Sequence, residues 1–147
     1  MNKKIFLIIF CIVSFGFVFK DVEAANYFSE QNYLYDSKFI NIRNNLYGNR
    51  GKGVKIAIID DGVWLNHSDL VGQNYVNERE VPNNNIDDDK NGYTDDYYGW
   101  NFVDNNSDMT SKGSHGTIIA GIIAAKQDDK GIEGIAPDAR FMPLIVC

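Results

Sequence analysis

Several features that commonly advertise a function are scarce or missing in these 147 residues. Cysteine is scarce: Cys11 and Cys147 are the only two, which excludes a small domain held by a disulfide framework. Basic charge is in deficit. A formal net charge of −6 and a pI near 4.8 argue against a partner rich in phosphate, so no nucleic-acid role is expected. No internal repeat is apparent. No apolar run reaches the roughly 20 residues of a bilayer span; the longest, Ile5 to Phe19, has fifteen. Histidine is limited to His67 and His115, which narrows any acid–base chemistry to few candidates.

What is present suffices for a folded domain. Apolar residues make up 44% and charged residues 23%, a balance that supports a packed core. Lys3 and Lys4 precede the apolar run, and Val22-Glu23-Ala24 follows it with short residues at the positions a signal peptidase reads. Residues 1–24 therefore read as a secretory signal peptide. Export to the medium or the cell envelope is expected, with no other membrane contact; an uncleaved, anchoring signal is the alternative.

Residues 25–50 read as a polar, aromatic arm with one short helix near Ser37 to Leu46. After a Gly-rich turn at 48–53, Val54-Lys55-Ile56-Ala57-Ile58-Ile59 is almost continuously apolar and ends in Asp60-Asp61-Gly62. Its length and β-branching predict a strand buried on both faces of a parallel sheet. Val71 to Asp108 is Asn- and Asp-rich without clear periodicity, a loop long enough to be functional. Ser114 to Lys126 interleaves four isoleucines with Gly and Ala, predicting a buried helix whose small residues permit close approach. Phe141 to Cys147 reads as a further strand. Strand, helix and strand together predict an α/β fold with a central parallel sheet flanked by helices.

Two residues carry the expected chemistry. Asp60 sits at the carboxyl end of an apolar strand, where functional groups gather in open parallel sheets. His115 opens a helix and is followed by Gly116, which allows backbone to come close. Brought to one crevice, the carboxylate holds the imidazole in one tautomer and makes it a general base. Taken singly, Asp60 is an ordinary turn residue, and an apolar run before Asp-Gly also suits an aspartic peptidase. His67 and Asp61 read as structural turn residues.

These segments resemble the subtilisin-like serine peptidases, or subtilases. Ile56-Ala57-Ile58-Ile59-Asp60-Asp61-Gly62 is similar to the family's aspartate motif, with Asp61 at a position more often Ser or Thr. Asn66-His67-Ser68-Asp69-Leu70 resembles its N-H-P-D-L continuation. Ser114-His115-Gly116-Thr117 through Ala120-Gly121 is similar to the histidine motif H-G-T-x-x-A-G, and Gly134-Ile135-Ala136-Pro137-Asp138-Ala139 to the turn before the next strand. Four motifs in family order span 51–147. The resemblance implies a partial subtilisin-like domain over 51–147, with Asp60 orienting, His115 as base and polypeptides as substrates. Its order of aspartate, histidine and serine is a known template for subtilisin.

The family's nucleophile stands in a G-T-S-x-A context. Serines 14, 29, 37, 68, 107, 111 and 114 all lack that setting. The expectation is a domain cut before its serine motif and inactive by itself, since a base with no nucleophile transfers no acyl group.

Asp87-Asp88-Asp89-Lys90-Asn91-Gly92 matches the first half of an EF-hand-type calcium loop, with Asp87, Asp89, Asn91 and Asp95 as candidate ligands. Tyr98 stands where that pattern ends in glutamate, and a solvated acidic loop is the plain alternative. Calcium also stabilises many subtilases, and no organic cofactor is implied. A second function class stays open: an exported, non-enzymatic module that binds calcium or a protein partner through this loop.

Overall fold

The computed structural model describes Gln31 and residues 50–147. The expected signal peptide and nearly all of the expected arm, including its helix, lie outside the described residues. The elements are β1 (Lys55–Asp60), β2 (Trp100–Asn101), α1 (His115–Ala124) and β3 (Arg140–Ile145). The strands form one parallel sheet in the order β1-β3-β2, and α1 packs against it. The architecture is α/β. Among the described residues, no helix is long and apolar enough to cross a membrane.

Strand β1 starts after a tight turn in which the Val54 N–H donates to the Gly51 carbonyl at 2.9 Å. Its period of two places Ile56, Ile58 and Asp60 on one face and Ala57 and Ile59 on the other. Burial on both faces was expected and is not what the fold shows. Ile58 is 4% exposed, whereas Ile59 is 63% exposed. The reason is that α1 covers only the Ile58 face, and no other described element covers Ile59.

Strand β3 is the central strand, and Phe141, Pro143 and Ile145 alternate along its fully buried face. A proline in a central strand is unusual, because it has no N–H to give the ladder. The partner segments explain it. On the side away from β1, Phe141 pairs with Gln73 and Tyr75, while the Ile145 carbonyl accepts the Phe102 N–H. Residues 141, 143 and 145 face the same way, so the missing donor falls in the gap between those two partners.

Helix α1 has ten residues, four of them isoleucine, so little intrinsic propensity holds it together. It was expected to be buried all round; only the seam of Gly116, Ala120, Gly121 and Ala124 is buried. Those small residues bring the helix backbone onto the sheet and leave Ile118 56% exposed. The core is Ile58, Val63, Leu70, Ala120, Ala124 and Phe141, flanked by Leu65, Ile119 and Ile123. At its C-terminal end, the 134–136 turn donates three amides to the carbonyls of Ile122, Ile123 and Ala125. Gly134 is required there: a Cβ would stand 2.5 Å from the Ala125 nitrogen. The turn read from the G-I-A-P sequence is therefore the C-terminal cap of α1.

Candidate active site

The period of β1 turns Asp60 toward α1, and the first residue of α1 is His115. Residues 55 apart in sequence thus become neighbours, with His115 Nδ1 at 2.7 Å from Asp60 Oδ2. An ionised carboxylate can only accept, so the contact places the proton of a neutral ring on Nδ1. The lone pair is then on Nε2, the nitrogen free to take a proton from a reacting group. The His115 side chain is 69% exposed, while that of Asp60 is 18% exposed. The imidazole faces solvent and the Asp60 carboxylate lies behind it.

Asp60 is held on its other oxygen as well. The Asp61 N–H donates to Asp60 Oδ1 at 2.8 Å. That bond, followed by the contact with His115, keeps the Asp60 carboxyl below the usual carboxylate range against the opposing effect of desolvation.

Asp61 does more than the turn expected of it. Its carboxylate accepts the backbone N–H of Gly116 at 2.8 Å and that of His115 at 3.2 Å. Its own carbonyl accepts the Lys112 N–H at 2.9 Å. Ser114, at the N-cap position of α1, makes no side-chain capping bond. The Asp61 carboxylate, 54 residues upstream of His115, takes that role. Sequence reasoning missed this, and the only signal was the Asp-Asp doublet at a strand end. Gly62 permits the turn, since its φ of 101° lies in the left-handed region.

Beside His115 lies an open groove of about 560 Å³ that includes Trp64, Met109, Ser111, Ser114 and Thr117 in its lining. Trp64 is 58% exposed, and its backbone N–H donates to Thr117 Oγ1 at 2.9 Å. His67 sits in a turn whose carbonyl accepts the Leu70 and Val71 amides. Among the described residues, no hydroxyl hydrogen-bonds the His115 ring.

The acidic loop brings together only part of the expected ligand set. Asp87, Asp89 and Glu80 each place a carboxylate oxygen within 4.8 Å of the others. Glu80 was not anticipated; it is 3% exposed and accepts the Asp89 and Asp95 amides at 3.0 and 3.1 Å. Asp95 turns its carboxylate to the Asn84 and Asn85 amides. Asn91 accepts from the Tyr93 N–H and donates to Asp96. Three carboxylates offering oxygen only are the donor chemistry of a hard cation.

The four motifs, the Asp60–His115 contact and the α/β frame occur together within residues 51–147. The Subtilase family model matches residues 51–147, and the chain belongs to that family. It is 41% identical over 95 residues to Subtilisin-like protease 1 of Plasmodium berghei (strain Anka), covering 63% of this chain and 15% of that protein. It is 38% identical over 96 residues to fervidolysin of Fervidobacterium pennivorans, covering 65% of this chain and 11% of that protein. Thermitase of Thermoactinomyces vulgaris matches at 37% over 97 residues, covering 65% of this chain and 27% of that protein. A crystal structure of a serine protease of Aeromonas sobria aligns with a TM-score of 0.43 at 31% identity, covering 66% of this chain and 13% of that one. The chain thus spans a small part of the relatives it matches.

Proposed function

We propose that this chain carries the acid–base half of a serine endopeptidase site that acts on exported or extracellular polypeptides. The single observation that carries the reading is the 2.7 Å contact between Asp60 and His115, which leaves Nε2 exposed. Asp60 fixes the tautomer and stabilises the imidazolium that forms. His115 takes the proton of an attacking serine hydroxyl through Nε2 and returns it to the leaving amine. No described serine reaches the ring, so on this reading the 147-residue chain alone hydrolyses nothing and the nucleophile comes from elsewhere. The signal-like sequence of residues 1–24 supports export.

Reading the gene past codon 147 and assaying its complete product on a fluorogenic peptide tests the proposal. The expected result is a G-T-S-x-A-like segment and hydrolysis lost by roughly 10⁴-fold or more in His115→Ala. Hydrolysis that survives this substitution would overturn the assignment, as would hydrolysis by the 147-residue chain itself.

The convergence of Glu80, Asp87 and Asp89 supports a second reading, a structural calcium site in the acidic loop. These three would hold the ion, with exposed Arg79, now 3.0 Å from Asp89, swinging away. Bound calcium would supply charge neutralisation in the loop and no chemistry at His115. Calorimetric titration should show saturable binding that weakens in Asp89→Ala. Absence of heat at millimolar calcium would sink this reading and leave the first intact.

A further inference from the structure

We infer that Asp61 is a positioning residue for His115, holding the start of α1 while Asp60 holds the ring. The inference takes its catalytic meaning from the reading of His115 as a base, but its geometry is independent of that reading. Three observations converge on it. The first is the pair of bonds from the His115 and Gly116 amides to the two Asp61 oxygens. These are orphan donors of a helix start, and a carboxylate there also complements the positive end of the helix. The second is that Ser114, where a local cap belongs, supplies no such bond, so Asp61 has no redundant partner.

The third is steric. A Cβ on Gly116 would collide first with the Gly62 carbonyl oxygen and also stand 3.1 Å from Asp60 Cβ and Asp61 Oδ1, and a Cβ on Gly113 would collide with the Asp61 carboxylate. Gly113 thus leaves room for this one side chain, and Gly116 leaves room for the Asp60-Asp61-Gly62 turn as a whole. Adjacent carboxylates at a strand end therefore divide the work. Asp60 fixes the imidazole by Nδ1, and Asp61 fixes the backbone from which the imidazole projects. Neither restraint alone determines where Nε2 points. A 3.2 Å and a 2.8 Å bond on one rigid carboxylate limit the swing of α1 relative to β1.

The test uses amide hydrogen exchange and the His115 Nδ1–H resonance of the full 147-residue chain, in wild type, Asp61→Ala and Asp61→Asn. In Asp61→Ala, exchange of the His115 and Gly116 amides should accelerate by roughly tenfold or more, the equivalent of one charge-assisted bond. The Nδ1–H resonance should broaden, while amides of Phe141 and Ile145 in β3 change by less than about twofold. Asp61→Asn keeps one acceptor of the same size and should restore one of the two amides and sharpen the resonance. Unchanged exchange at both amides in both variants would overturn the proposal. So would loss of β3 protection in Asp61→Asn, because Asp61 would then support the fold at large. If Asp61→Ala unfolds, the isosteric Asn variant decides by the same two amides. A wild-type chain lacking any Nδ1–H signal bonded to Asp60 would instead strike at the base assignment, leaving the amide result to judge Asp61.

Discussion

The strand-end site and the acidic loop are both built from side-chain oxygens that accept backbone N–H groups, but over very different stretches of chain. Asp60 and Asp61 reach residues 54 and 55 positions away, across the packed surface between β1 and α1. In the loop many of the partners are close in sequence. Asp87 bonds to Asn91 and Gly92, Asn84 to Ile86, and Asn91 to Tyr93. Five of the six non-glycine residues with positive φ are Asn or Asp, four of them within 83–105. Those residue types tolerate the left-handed region and bond their own backbone. The loop's composition is therefore first an account of its turns. The site depends on sheet and helix being packed together, whereas much of the loop is assembled locally.

Removing the packing should separate the two regions most sharply. Phe141 is fully buried in the central strand, and Phe141→Ala is expected to cost about 3–5 kcal/mol. Urea unfolding followed by Trp64 and Trp100 fluorescence would measure it. The His115–Asp60 contact should weaken in parallel, while the Asn91 and Gly92 amides keep their protection longest. Simultaneous loss of both would show that the two regions form one cooperative unit.

Glu80 tests the loop from its own side. It is the member that bonds across 15 residues, and Glu80→Ala leaves two buried-side amides without their acceptor. A cost of about 1–3 kcal/mol is expected. Exchange should rise at Asp89 and Asp95, with the His115 Nδ1–H signal unmoved; a shift of that signal would show that the two regions communicate.

Acid sharpens the distinction at the level of one proton. The Asp60 carboxyl is held below its unfolded range by the Asp61 amide and by His115. Its contribution to stability is thus complete above about pH 4 and is lost as pH falls through the lowered folded value. Asp108 is lowered likewise, first by its side-chain bond with Thr110. Titration by NMR should show both carboxyls protonating below pH 4, with α1 loosening from β1 only when Asp60 does. Loosening already complete at pH 5 would contradict this order. The smallest effect is expected on the outer side of α1. Ile118→Ala should change stability by no more than about 0.5 kcal/mol, against about 1–3 kcal/mol for overpacking the seam with Ala120→Leu.

Much of the architecture was legible because the relevant signals are local. An apolar β-branched run bounded by glycines specifies β1, and alternating small residues announce the contact face of α1. What escaped has a physical reason in each case. The two-residue strand β2 is too short for any periodicity, and only pairing with Leu144 and Ile145 makes it a strand. Ile59 carries the same chemistry as Ile58, so its exposure could not be read from the run itself. Of the expected metal ligands, Asp87 and Asp89 are brought together while Asp95 is turned to other amides, because ligand spacing does not fix which backbone donors compete for each carboxylate. Glu80 lies outside the motif altogether.

By itself the sequence determined the order of the motifs and the family, and it singled out Asp60 and His115 as candidates, since these reside in residue types at short spacing. The tertiary structure alone decided that Asp60 Oδ2 meets His115 Nδ1, that Asp61 rather than Ser114 caps α1, and that Glu80 joins the acidic loop. Each of those facts depends on which chain segments pack together. Hydrogen-bond geometry changes over tenths of an ångström, and no spacing along the chain sets distances across a packed surface to that degree.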